Sequence, residues 1–228
     1  MKKGRVALIG LDGSGKSANI SLMKQDAAYS DYDFIWVRWK PTLLKPLYKL
    51  IGGKAKTNAK AKTEPDENRS GLKSEYNRKA GMKKKIFKSG IVRNAWIFLA
   101  TVDYFFQFYF KTLFNLLSKK GIIFDRYYLD LYVDQGINFG YSPEKIYKMI
   151  KTHQWLFPKM DKIVYIRVTP EVCYARKDDI PNMDYLEKRY AIYEYISEKD
   201  DWHVVNGNEP LEKVNGTIKS IILGGKNE

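Results

Sequence analysis

The segment from Gly10 to Ser17 contains the residues whose types and spacing most clearly suit a chemical role. A glycine, four further residues and then Gly-Lys-Ser form the pattern of a P-loop, placed between a short apolar run and a helical pattern. Its glycines allow backbone N–H groups to turn inward around phosphate oxygens, and the following helix N-terminus favours negative charge. We predict that ATP binds here through these residues: Gly10, Gly13, Ser14, Gly15, Lys16 and Ser17.

Two side chains of this loop have distinct expected roles. Lys16 is predicted to reach the β- and γ-phosphates, and the hydroxyl of Ser17 is predicted to hold Mg²⁺. The P-loop by itself indicates a bound triphosphate and leaves the reaction open, because switches, motors and transferases all use it.

A second candidate motif, Asp125-Arg126-Tyr127, follows the apolar run 122–124. Ligands of open α/β sheets bind beyond the carboxyl ends of the strands, which is where this motif is expected. Asp125 is a candidate Mg²⁺ ligand, and Arg126 is suited to bidentate binding of an acceptor phosphate or of the transferring phosphate. The alternative is an ordinary surface ion pair.

Short apolar runs alternate with helical patterns along the chain, which predicts a mainly parallel sheet covered by helices on both faces. Together with the P-loop, the pattern indicates an α/β P-loop NTPase fold of about five strands, as one domain over 1–228. Strands are predicted at 5–9, 33–39, 122–124, 162–168 and 203–205, and helices at 17–25, 41–51, 91–119, 142–157, 170–177, 183–197 and 209–222.

The formal net charge of +14 predicts an acidic partner: nucleotide phosphates, a nucleic acid or an anionic lipid surface. Residues 52–90 hold twelve Lys and Arg against four Asp and Glu. They form a basic insertion that is either solvated and mobile or a clamp that orders on an anion. The single cysteine, Cys173, excludes an intrachain disulfide, so we expect a reducing, cytoplasmic location.

The two motifs together resemble the thymidylate kinase family, a branch of the nucleoside monophosphate kinases. Asp12 matches the acidic residue that this family has within its P-loop, and 125–127 matches its Asp-Arg-Tyr strand end. Residues 168–176 and 205–214 look like its fourth strand with the helix entering the lid, and its last strand with the terminal helix. The resemblance implies transfer of the γ-phosphate of Mg-ATP to a nucleoside monophosphate, most simply dTMP to dTDP.

The resemblance also assigns roles on the acceptor side. It implies that Asp12 contacts the acceptor sugar and that Arg126 binds the acceptor phosphate. The predicted catalytic side chains are Lys16, Asp12, Arg126 and Arg176. The predicted acceptor-binding side chains are Asp12, Arg38, Tyr104, Arg126 and Tyr127.

The chain departs from the family pattern on this acceptor side. The family has an Asp-Arg or Asn-Arg pair in its long helix, where this chain has Asp103-Tyr104. After the second strand, an Arg-Glu-Pro-Gly-Gly segment is replaced by Arg38-Trp39-Lys40-Pro41. The lid, 176–182, is short, and Gly13 leaves the P-loop without an arginine, so Arg176 or Lys177 is expected to close over the transferring phosphate. Lys188 and Arg189, further along the chain, are the alternative lid cations.

Two other functions fit the sequence. One is a divergent kinase that acts on a sugar, a glycan or a nucleic acid end, which the departures and the basic insertion favour. The other is a non-catalytic protein that binds ATP and a polyanion. The aromatic side chains of the predicted helix at 91–119 have three interpretations. Packing in the domain core is favoured, followed by a homodimer interface and then by contact with a membrane.

Overall fold

The computed structural model describes residues 4–50, 81 and 86–224, and for 48–50 the backbone alone. The predicted basic insertion at 52–90 lies outside the described residues except for residue 81 and 86–90. Within the described ranges, no helix is long and apolar enough to cross a membrane.

A five-stranded sheet forms the centre of the structure, in the order β2-β3-β1-β4-β5, and all four strand pairings are parallel. The alternating strands and helices of the sequence predict this sheet correctly. The central strands β1 and β3 consist mostly of buried apolar residues, and β4 buries its residues 164–166, as expected when helices cover both faces. The strands are β1 Arg5–Ile9, β2 Tyr32–Trp36, β3 Gly121–Asp125, β4 Lys162–Arg167 and β5 His203–Asn206.

The register of the sheet brings the two motifs together. Asp125 at the end of β3 pairs with Leu8 of β1 on one side and with Trp36 of β2 on the other. The P-loop leaves β1 two residues after Leu8, so it begins beside Asp125. This arrangement follows from parallel pairing, which gathers the carboxyl ends of all strands at one edge.

Eight α-helices in the described residues connect and cover these strands, and the predicted helices correspond to seven of them. The helices are α1 Lys16–Gln25, α2 Lys45–Leu50, α3 Gly90–Leu117, α4 Leu129–Phe139, α5 Pro143–His153, α6 Pro170–Arg176, α7 Met183–Lys199 and α8 Leu211–Leu223. The predicted start of the second helix at residue 41 is wrong. The chain there is held instead by Asp103, whose carboxylate accepts from the backbone N–H groups of Thr42 and Leu43 at 3.1 and 3.0 Å.

Helix α4 has no counterpart among the predicted elements. Most of its residues are buried, including the polar Asp130 and Gln135, so no apolar stripe at helical spacing marks it in the sequence. The helix ends at Gly140, which takes a left-handed conformation with φ of 67°.

Helix α3 buries one face in the domain core and exposes apolar side chains on another. The core face confirms the predicted packing role and comprises Trp96, Ile97, Ala100, Thr101, Asp103, Tyr104, Phe108 and Thr112. The exposed apolar residues of the helix are Ile91, Val92, Phe98, Leu99, Phe106, Phe110, Leu113, Phe114 and Leu117. The homodimer interface stays a prediction, supported by the extent of this apolar surface.

We expect the purified protein to have the mass of two chains in light scattering, and Phe110→Glu to reduce it to one. Phe110 is 89% exposed, so a charge there costs the folded monomer little but opposes burial against a second copy. Trp155→Glu is the control, because Trp155 is similarly exposed on the 3₁₀ helix Gln154–Leu156. A wild-type protein that stays monomeric at every concentration contradicts the interface.

Candidate functional site

A cleft of about 510 Å³ opens at the carboxyl edge of the sheet and gathers most of the predicted site residues. The P-loop forms its floor, Trp36 and Arg38 after β2 form one side, and Arg176 and Lys177 at the end of α6 form another. The full lining is Asp12, Gly13, Gly15, Lys16, Ser17, Ala18, Trp36, Arg38, Asp125, Arg126, Arg176 and Lys177.

The P-loop turns tightly between β1 and α1, and its glycines are required by that path. Gly13 has a φ of 91°, and a Cβ on it would stand 2.5 Å from the carbonyl oxygen of Cys173 in α6. A side chain at residue 13 is therefore excluded both by backbone conformation and by space. No arginine fits at residue 13, so this position adds no positive side chain to the cleft.

Lys16 is buried and folded back onto the loop. Its Nζ donates to the carbonyl oxygens of Gly10 at 2.8 Å and Leu11 at 2.6 Å, and to Ser14 Oγ at 3.2 Å. Burial, followed by the nearby charge of Arg126, lowers the pKa of Lys16 to about 8, although neighbouring carboxylates act in the opposite direction. A phosphate in the cleft would offer this ammonium group a charged partner in place of neutral carbonyls.

Arg126 connects the P-loop to helix α4. Its backbone is left-handed with φ of 72°, which no other non-glycine residue among the described ones adopts. Its guanidinium donates to Asp12 and to Asp130, the latter at 3.4 Å, and its side chain is only 7% exposed. Sparsely populated backbone conformations of this kind cluster at functional sites, where surrounding contacts hold them in place.

Asp12 accepts from two side chains at once. Besides Arg126, the hydroxyl of Tyr185 in α7 donates to its other carboxylate oxygen at 3.1 Å. Burial raises the pKa of Asp12, but the charges of Arg126, Arg189 and Lys16 outweigh burial and hold the pKa far below its usual value. Asp12 is therefore a fixed negative charge that orients Arg126.

A buried group of charged and polar side chains supports Arg126 from behind. The sequence suggested one of its members, Arg189, as a lid cation, and that assignment is wrong because Arg189 is fully buried. Arg189 of α7 is fully buried; it donates to Asp134 and, at 3.0 Å, to Asp130. The hydroxyl of Tyr193 also donates to Asp130. Burial raises the pKa of Asp130, but Arg126 and Arg189 outweigh burial, so the pKa is lowered. The signal available in the sequence was two aspartates one helical turn apart in an otherwise apolar segment.

The predicted metal ligands Ser17 and Asp125 both line the cleft. Burial raises the pKa of Asp125, and the nearby charges of Lys16 and Arg126 lower it by less than burial raises it. A bound cation would favour the charged carboxylate. The described residues contain no cluster of three or more His, Cys, Asp or Glu side chains that could bind a metal unaided. One hydroxyl and one carboxylate fit Mg²⁺ that takes its other ligands from phosphates and water.

Tyr104 and Tyr127 do not reach the cleft, in contrast to the acceptor-binding role expected of them. The Tyr104 hydroxyl donates to the carbonyl of Val37 at 2.8 Å, and the Tyr127 hydroxyl donates to the carbonyl of Pro158. Both rings are buried. Burial costs little here, because the hydroxyl of each ring donates a hydrogen bond to a backbone carbonyl. Tyr104 thereby supports the chain just before Arg38.

The two candidate lid cations lie on the rim of the cleft. Arg176 donates to the carbonyl of Gly207 at 3.1 Å, and Lys177 pairs with Asp179 at 3.1 Å. Both side chains are exposed, so each can exchange its present partner for a phosphate at little cost.

Comparison with known proteins finds no matching family model and no matching curated protein. Solved structures do match. A structure of deoxyadenosine kinase from M. mycoides with dCMP and a flexible dCDP has a TM-score of 0.54 and 16% identity, covering 96% of this chain and 99% of that chain. The same enzyme with bound dCTP has a TM-score of 0.52 at 16% identity, with the same coverage. The chain has the fold of this deoxyadenosine kinase. At this identity the likeness concerns the fold alone.

The pKa of Lys16 predicts how ATP binding depends on pH. Above about pH 8 the ligand-free protein loses the Lys16 proton, whereas bound phosphates favour the charged form. ATP affinity should therefore fall as pH rises, about tenfold per unit above pH 8, with uptake of one proton on binding. Calorimetry in buffers of different ionisation enthalpy measures this uptake. Lys16→Arg, which stays charged, is the control, and equal uptake by both proteins contradicts the assignment.

We expect Arg189→Met to lower the free energy of unfolding by about 3–5 kcal/mol, because it leaves Asp134 without this partner and Asp130 with Arg126 as its remaining ion-pair partner among the described residues. Tyr193→Phe, which removes the hydrogen bond donated to Asp130 and the one accepted from Arg189, should cost about 2 kcal/mol. Urea titration followed by circular dichroism measures both. Lys188→Met, one residue away in an exposed pair with Asp184, serves as the control. If Arg189→Met costs no more than this control, the buried ion pairs do not stabilise the fold.

Proposed function

We propose that the protein transfers the γ-phosphate of Mg-ATP to a nucleoside monophosphate, most simply dTMP to give dTDP. The observation that carries the proposal is that one cleft contains both the donor-side residues and two arginines suited to an acceptor phosphate. Lys16, Ser17 and Asp125 lie beside Arg38 and Arg126 at the same sheet edge. Phosphoryl transfer requires mainly positioning and charge neutralisation, and this cleft offers both.

On the donor side, the P-loop backbone and the α1 N-terminus would hold the ATP phosphates. Lys16 would leave the carbonyls of Gly10 and Leu11 for the β- and γ-phosphate oxygens. Ser17 and Asp125 would hold Mg²⁺, which when bound neutralises phosphate charge. Arg176 and Lys177 supply mobile positive charge on the opposite rim, which compensates for the missing arginine at Gly13.

On the acceptor side, the charges favour an acceptor that already carries a phosphate. Among the described residues, Arg38 faces the cleft without a carboxylate partner. A phosphate acceptor is ionised near pH 7 and attacks without a general base. Asp12, which is charged and held by Arg126 and Tyr185, is suited to orienting Arg126 and a sugar hydroxyl rather than to taking up a proton.

The second candidate is transfer to a hydroxyl group, and the solved structures favour it. The similar proteins are named deoxyadenosine kinase, whose acceptor by that name is a nucleoside. A hydroxyl acceptor needs a general base, and Asp125, with its raised pKa, is the carboxylate in the cleft best suited to it. The same chemistry extends to a sugar, a glycan or a nucleic acid end.

The decisive experiment is ATP turnover with Mg²⁺ and a panel of paired acceptors: dTMP and thymidine, dCMP and deoxycytidine, dAMP and deoxyadenosine. We expect turnover with a monophosphate and little with the matching nucleoside. Lys16→Ala should reduce turnover by about 10³-fold, because it removes the positive charge that would stabilise the transferring phosphate. Lys24→Ala, on the exposed end of α1, is the matched control.

Three results would contradict the proposal in different ways. Faster turnover of the nucleosides selects the second candidate. Turnover that survives Lys16→Ala contradicts the P-loop assignment. Tight binding of ATP and polyanions without turnover of any acceptor favours a non-catalytic binding protein.

A further inference from the structure

Two lysines contact an exposed aromatic ring on the rim of the cleft, and the proposed transfer gives them no role. Trp36, at the end of β2, is 41% exposed although it lines the cleft. The ammonium group of Lys40 lies 4.8 Å from the centre of its ring, and that of Lys111 in α3 lies 5.4 Å from it. An indole ring attracts cations through its negative face, which accounts for the position of each lysine separately.

The two lysines are unfavourable together unless an anion lies near them. Burial, and after it the charge of Lys40, lower the pKa of Lys111. Neither lysine has a carboxylate partner among the residues that the structure describes, whereas many other lysines of the chain are ion-paired. The ring therefore holds two positive charges for which the described residues supply no carboxylate partner.

Trp36 joins these lysines to the acceptor side of the cleft. It pairs in the sheet with Asp125, and it lines the same cleft as Arg38 and Arg126. An acceptor phosphate bound at the two arginines would therefore leave the rest of the acceptor within reach of Trp36, Lys40 and Lys111. A second phosphate is the group that two unpaired ammonium ions bind best.

We propose that Trp36, Lys40 and Lys111 form a subsite for a second phosphate group, so that the acceptor is a nucleotide carrying another phosphate besides the one at Arg38 and Arg126. Such an acceptor is either a small nucleoside bisphosphate or the 5′-phosphorylated end of a single-stranded oligonucleotide. This inference rests on the proposed function for the position of the first phosphate. It defines the substrate class more narrowly, because a simple monophosphate leaves the subsite empty.

The test compares dTMP, thymidine 3′,5′-bisphosphate and a short 5′-phosphorylated oligothymidylate, first by calorimetric binding without ATP and then as acceptors in turnover. We expect the second phosphate to strengthen binding about tenfold at low salt, the sum of two modest lysine contacts. Lys111→Met and Lys40→Met should each reduce this gain to about threefold, while dTMP binding stays unchanged. Added salt should diminish the gain in the wild type.

Lys119→Met is the matched control, because it removes the same charge eight residues further along the chain, at an exposed position just after α3. If the bisphosphate alone shows the gain, the acceptor is a small molecule; if the oligonucleotide shows a larger one, it is a nucleic acid end. The subsite is contradicted if dTMP and both longer ligands bind equally. It is also contradicted if Lys111→Met and Lys119→Met reduce the gain equally. Absence of turnover with every acceptor, combined with a gain that depends on Lys111, would contradict the kinase proposal and leave the subsite standing.

Discussion

The arrangement of the site depends on one buried guanidinium group, that of Arg126. It lies at the end of β3 in a left-handed backbone conformation, between the carboxylates of Asp12 in the P-loop and Asp130 in α4. Each of these groups would be costly to bury alone, and together they satisfy one another. Because Asp12 and Asp130 belong to segments far apart in the chain, this contact fixes the P-loop relative to the helices on the acceptor side.

The charged groups behind and in front of Arg126 differ in the partners that hold them, and that difference suits transfer between two bound substrates. Behind it, Asp130, Arg189 and Tyr193 are buried and tied by side-chain hydrogen bonds. In front of it, Lys16 is held by neutral acceptors of its own loop, while Arg176 and Lys177 are exposed on the rim. Groups held by buried ion pairs can orient an acceptor, whereas Lys16, Arg176 and Lys177 can exchange their present partners for a phosphate.

Much of the fold could be predicted from the sequence because it rests on local patterns. Glycine spacing in the P-loop and the alternation of apolar runs with helical patterns each have a physical cause that neighbouring residues reveal. The position of Asp125-Arg126 followed from the rule that parallel strands end at one edge. Residues 52–90, in which the sequence indicates a basic insertion, lie largely outside the described part of the chain.

The parts that escaped prediction depend on contacts between distant segments. Asp103 holds the chain at 42–43, about sixty residues earlier, so the second helix begins later than its composition suggests. The sequence did not reveal that the hydroxyls of Tyr104 and Tyr127 donate hydrogen bonds to backbone carbonyls of other segments. Helix α4 was missed for a similar reason, since Asp130 and Asp134 look like surface residues until Arg189 is placed against them.

The central claim is that donor and acceptor phosphates bind side by side in one cleft, and a bisubstrate ligand tests it most directly. An adenosine and a thymidine joined through a chain of phosphates should occupy the P-loop and the Arg38–Arg126 side at once. Its affinity, measured by calorimetry with Mg²⁺, should exceed that of ATP by about 10²-fold or more, because the second half binds at high effective concentration. An affinity no greater than that of ATP, and insensitive to Arg38→Met, would contradict the account.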